Sequence, residues 1–157
     1  MTLTLMEGSL NAVKDYLTTN MAAKLNALDA EYDDGITLAD INAYYLAETL
    51  AVPIMPAIYV LGVRTEPGAE GLTHFKTAHH VTVAVLVTDT VTETLRKRLY
   101  RHIRAIVELM REARSDATFE NAAIVFDSCE FSPMYGRSGT FLQDARVELH
   151  LTKIETE

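Results

Sequence analysis

Cysteine is almost missing from this 157-residue chain. Cys129 stands alone, which excludes an internal disulfide and any cysteine-based zinc cluster. Long apolar runs are missing too, and none approaches the roughly 18 residues that a membrane-spanning helix needs. The first ten residues carry Glu7 and no basic side chain, so the charged start of a secretory signal is not found there. Basic residues are scarce over 1–73, where Lys14, Lys24 and Arg64 face ten acidic groups. That half holds about −7 of the total formal charge of −8. Such a surface is ill suited to gripping nucleic acid by its phosphates, but it can repel DNA or steer a basic partner. Together these absences predict one domain over residues 1–157, folded in the cytoplasm, with no membrane partner.

What is present is periodicity. A hydrophobic content of 48% is ordinary for a globular chain, and its arrangement is informative. Leu10, Val13, Leu17, Met21, Leu25 and Leu28 recur at helical spacing, which predicts a helix capped by Ser9 and ending near Asp29 to Tyr32. Thr37 and Asp40 suggest a brief helical turn over Leu38 to Asn42, and Tyr44 to Leu50 fits helix or extended chain. Pro53 and Pro56 favour extended backbone before a strand over Ala57 to Arg64. Thr65 to Thr73, with Pro67, Gly68 and Gly71, reads as a hairpin loop. A long strand follows from His74 to about Thr88, with Val81, Val83, Val85 and Val87 on one side. Thr90 and Glu93 form a capping box for a second helix, whose apolar face runs from Leu95 to Ala113. Strands over Asn121 to Phe131 and Thr140 to Ile154 flank a loop at Ser132 to Gly139. The expected fold is α+β in the order α-β-β-α-β-β, with two amphipathic helices packed on a mainly antiparallel four-stranded sheet.

Chemical motifs are sparse. His74, His79, His80, His102 and His150 show no chelating spacing, and His79 and His80, adjacent in a strand, point to opposite faces. Asp29, Glu31, Asp33, Asp34 and Gly35 resemble a calcium loop, but glycine falls one position late for the sharp turn. Gly136-Arg137-Ser138-Gly139 lacks the spacing of a nucleophile elbow, and Cys129 reads as a small hydrophobe in a strand. No glycine loop opens a helix to cradle phosphate. No catalytic residue, cofactor or metal site is therefore expected.

The second helix carries Arg96, Lys97, Arg98, Arg101, Arg104, Arg111 and Arg114 against three glutamates. This face suits plain solvation, a protein contact or DNA, and the acid of the first half can also dock on it. Among the tyrosines, Tyr44, Tyr45, Tyr59, Tyr100 and Tyr135 are candidate interface anchors.

The leading helix, "PIMPAIYVLGV", the valine-rich strand, the capped helix "TDTVTETLRKRLYRHIRAIVELM" and two closing strands together resemble the tail terminator, or tail completion, proteins of tailed bacteriophages. The resemblance covers about Ser9 to Ile154 and rests on element order and length. It implies an α+β virion protein that forms a hexameric ring on the head-proximal end of the tail tube. Such a ring stops tube growth and presents a surface to the neck. Its implied partners are copies of itself, the tube protein and a neck or head-completion protein, with DNA passing through the ring without sequence-specific binding. It carries no catalytic residue to transfer. The candidate assembly residues are Glu66 and Glu70 in the first loop, Arg96, Arg101 and Arg104 on the second helix, and Tyr135 and Arg137 in the second loop. The acid of the first half, Asp29 to Asp34 and Glu66 to Glu70, is expected to line the hole. The alternatives are another head–tail connector, or a small α+β enzyme or ligand-binding domain with a site built from scattered residues.

Overall fold

The computed structural model describes residues 6–51, 53–69, 74–119, 122–137 and 139–156, and among them are two α-helices, a single 3-10 turn at Ala117–Phe119 and six strands. In chain order the helices and strands are α1 (Met6–Tyr32), β1 (Ala43–Tyr45), β2 (Ala57–Ala69), β3 (His74–Asp89), α2 (Thr92–Ala113), β4 (Ala122–Phe131), β5 (Tyr135–Arg137) and β6 (Thr140–Thr156). The class is the expected α+β, but the sheet is mixed and six-stranded, in the order β1-β2-β3-β6-β4 with β5 also on β6. β1 is parallel to β2, and all other pairings are antiparallel. Both added strands are only three residues long and exist through their neighbours. Asn42 donates its N–H to the Pro56 carbonyl at 2.8 Å, which lays β1 alongside β2.

Several boundaries differ from expectation for identifiable reasons. α1 begins at Met6, a turn early, so Ser9 is a buried position inside the helix instead of its cap. Met6 packs over Gly62 of β2, where an added Cβ would stand 3.0 Å from the Met6 Cγ, so this strand glycine marks a close approach of helix to sheet. The expected turn at Leu38 to Asn42 is absent, because the Asp29 carboxylate accepts the Leu38 N–H at 3.0 Å and holds that segment irregular. α2 starts behind Val91, whose backbone is extended and whose side chain makes no cap bond. Asp89 accepts the Val91 N–H at 3.0 Å in place of a Thr90 cap. The expected i, i+4 pair of Glu93 with Lys97 is present at 3.0 Å. Pairing with β3 carries β2 on to Ala69, through most of what composition marks as a loop. Residues 70–73 lie outside the described residues. In the second loop, Gly139 at φ +82° supplies the left-handed residue of the return from β5 to β6.

Both helices lie on one face of the sheet. α1 presents Val13, Leu17, Met21, Leu25 and Leu28, and α2 presents Leu95, Leu99, Ile106 and Met110. Beneath them lie Ile58 and Val60 of β2, the four valines of β3, Ala145, Val147, Leu149 and Leu151 of β6, and Ile124 of β4, all buried. Each fully buried aliphatic of this layer contributes about 1.5–3 kcal/mol. Among the described residues, no helix covers the opposite face. Ala57, Tyr59 and Ala84 form a small second cluster there with Tyr45, Leu61 and Leu86. Tyr45 stacks on Tyr59 at 5.0 Å, and the Tyr59 hydroxyl lies 3.0 Å from that of Thr49.

Candidate assembly surfaces

The two helices pack antiparallel, and the charges between them run in matching order. Lys24 bonds Glu112 and lies 3.6 Å from Glu108. One turn further along, Arg104 donates to Glu31 at 3.0 Å, to the Tyr32 hydroxyl at 3.1 Å and to Glu108 at 2.8 Å. Beyond the helix end, both terminal nitrogens of Arg101 donate to the two oxygens of Asp34, at 3.0 and 2.5 Å. The Arg101 guanidinium also lies 3.8 Å from the centre of the Tyr32 ring. Arg101 is only 6% exposed. Its hydrogen bonds hold the Asp34 carboxyl down, to about 2. Asp33 at φ 43° and Gly35 at φ 80° turn the chain back so that Asp34 reaches α2.

The acid-rich exit of α1 and the arginines of α2 are therefore partners within one chain. Arg98 is taken up by Asp89 at 2.7 Å, and Arg114 donates to the Ile124 carbonyl at 2.6 Å. Arg96 is exposed. His102 is fully buried between two carbonyls, those of Arg98 at 2.8 Å and Ala39 at 3.1 Å. Burial pushes its pKa down.

The open face of the sheet is a second, unlike surface. Glu66 lies here, bonded to Arg64 at 2.7 Å, and Arg64 with His80 holds its carboxyl below the usual range. Thr82 donates to Glu148 at 3.1 Å, and Arg146 lies 3.5 Å from Asp144. Tyr135, half exposed, lines a shallow groove with Glu130, Phe131, Ser132, Asp144 and Arg146. Arg137 pairs with Thr140 through the backbone, its side chain lying outside the described residues, as does Glu70 altogether. The candidate residues thus do not form one surface. Arg101 and Arg104 belong to the helix layer, and Glu66 belongs to the open face. Asp34 and Glu66 sit in opposite layers.

Two strand edges form the third surface. β1 covers β2 only over Ala57 to Tyr59, so from Val60 to Ala69 the outer edge of β2 has no partner strand among the described residues. The outer edge of β4, Ala122 to Phe131, is likewise unpaired among them. Exposed apolar side chains accompany both edges: Val63 on β2, and Val125 and Phe131 on β4, with Phe131 edge-on to exposed Tyr100 at 5.2 Å. Leu50 and Ile54, in the segment leading from β1 to β2, are also bare.

One constellation escaped sequence reasoning. His80 of β3 and His150 of β6 are direct cross-strand partners on the open face, with ring centres 5.1 Å apart. Asp127 joins them from a bulge in β4 between Phe126 and Ser128. The signal available in the sequence was only that two strands each carry histidine, and the pairing register was needed to bring them together.

No protein-family model matches this chain, and no curated protein matches it. Among solved structures, a chain of "Virion of native gene transfer agent (GTA) particle" is similar at 14% identity and a TM-score of 0.40, covering 71% of this chain and 79% of that one. A likeness of that depth assigns no role.

Proposed function

We propose that this chain is a non-enzymatic virion component. In this reading it is a tail terminator that caps the head-proximal end of the tail tube as a hexameric ring and joins it to a neck or head-completion protein. The observation that carries the proposal is the pair of unpaired edges. β2 is antiparallel to β3, β3 to β6 and β6 to β4, so β2 and β4 point in opposite directions. When β4 of one copy lies beside β2 of the next, the joint is antiparallel and the helices of both copies stay on the same side. A head-to-tail contact of this kind uses two different patches on each subunit and generates a ring when its rotation closes. The exposed apolar residues at both edges supply the buried area of the joint.

The open face would then turn inward. Glu66, Asp127, Asp144 and Glu148 lie on it, with Arg64 and Arg146 paired to two of them, and a lining with this excess of acid lets DNA slide without sequence readout. The bare Leu50 and Ile54 provide a contact for the tube protein.

Light scattering of the purified chain, alone and mixed with tube protein, tests the ring. A hexameric mass in either condition is expected, and Val125→Glu with Phe131→Glu should abolish it; a cooperative melt establishes that the variant folds, because Phe131 also packs edge-on against Tyr100. In the ring the exposed Cys129 of β4 should also react with a maleimide more slowly than in the monomer. A persistent monomer in both conditions overturns the proposal.

A further inference from the structure

We infer that His80, Asp127 and His150 form a binding site for a divalent first-row transition ion, Zn2+ fitting best, on the open face of the sheet. One donor atom from each of the three residues lies within 4.8 Å of the other two. His150 Nδ1 is 3.0 Å from both oxygens of Asp127, and His80 Nδ1 is 3.9 Å from Oδ2. A tetrahedral zinc with bonds of about 2.0–2.2 Å has ligand–ligand edges of about 3.3–3.6 Å; the two histidine–carboxylate separations fall on either side of this range, and the donor atoms of the two rings lie within 4.8 Å of each other. Small rotations of side chains that are 15%, 23% and 38% exposed close the difference.

The backbone explains why the three converge. His80 and His150 face each other in register on adjacent strands, which places their rings side by side. The bulge in β4 leaves Asp127 unpaired in the ladder and turns its carboxylate over the edge towards both rings. Glu66 adds an outer partner, its Oε2 lying 3.2 Å from His80 Nε2. The buried Nε2 has no hydrogen-bond partner as it stands, and a small turn of the Glu66 carboxylate would bring it into the carboxylate–histidine–zinc arrangement with Nδ1 left for the metal. Two imidazoles and one carboxylate suit Zn2+, which keeps its fourth position for water on this solvent-facing side. Mg2+ and Ca2+ prefer all-oxygen ligands and are excluded by the same chemistry. Three strands would be tied together by the ion, one of them the β4 edge.

The site does not depend on ring formation, and its test is independent of assembly. Zn2+ is titrated into the full chain in competition with a chromophoric chelator, and Co2+ into a parallel sample read by its visible absorption. One equivalent of Zn2+ is expected, together with the absorption of a four-coordinate Co2+ site and no competition from Mg2+. His150→Gln and Asp127→Asn should each weaken Zn2+ binding by at least about tenfold, and Glu66→Gln by less, since it removes no ligand atom. The three replaced residues are partly exposed, and metal-free circular dichroism melts establish that each variant folds. Equal Zn2+ affinity in the wild type, His80→Gln and His150→Gln would overturn the inference, as would the absence of stoichiometric binding to the wild type.

Discussion

Replacing Arg101 by methionine keeps most of the side-chain length while removing the guanidinium that Asp34 and Tyr32 both hold. The stacking on Tyr32 at 3.8 Å involves a cation only 6% exposed, and a desolvated cation–π contact is worth about 2 kcal/mol. In a chain of this size each kcal/mol moves the thermal midpoint by about 2–4 °C, so Arg101→Met should lower it by about 4–8 °C. Differential scanning calorimetry at neutral pH measures this directly. Acid titration supplies an independent reading. The Asp34 carboxyl is depressed from 3.8 to about 2 in the folded chain. Its contribution is therefore complete above about pH 4 and disappears as pH falls through about 2. The variant should lose part of that acid limb, with a shallower fall in stability between those values. An unchanged midpoint with an unchanged acid limb would refute the clamp. If that result came with loss of ring assembly on tube protein, Arg101 would be a contact to another subunit.

Two further outcomes follow from the core. Leu99, on the sheet-facing side of α2, is fully buried, so Leu99→Ala should cost about 2–5 kcal/mol, readable as a lower urea midpoint with the same slope. His102 is held neutral by burial, with a pKa below its ordinary 6.5. The unfolded chain then binds a proton that the folded chain refuses, so stability falls as pH drops below about 6.5 and is complete above it. His102→Gln should flatten that limb in melts between pH 7 and 5, and an identical slope in wild type and variant would exclude His102 as its source.

The helices were legible because burial imposes a 3.6-residue period over many turns, as Val13, Leu17, Met21, Leu25 and Leu28 show. Their ends were less so. Ser9 looks like a cap, yet the close approach of Met6 to Gly62 rewards another turn of helix. The long strands carried a period-two signal, whereas β1 and β5 are too short to carry one and depend on hydrogen bonds from β2 and β6. That is why a four-stranded sheet was expected and a six-stranded one is found. The docking of acid from the first half on the arginine helix was legible as charge asymmetry, but which acid meets which arginine depends on the antiparallel packing of α1 against α2. The histidine cluster depends on register alone, which no local pattern encodes.

Unpaired strand edges such as those of β2 and β4 also expose a chain to mispairing, since any extended segment is a potential partner. The irregularities on these edges guard against such mispairing. β2 breaks its ladder between Gly62 and Arg64 and includes Pro67, which has no N–H to offer, and β4 breaks its own between Phe126 and Ser128. A uniform foreign strand meets an interruption on either edge. Fidelity of assembly would then reside in the flaws of the strands, and straightening either bulge should yield a subunit that sticks more readily and less selectively.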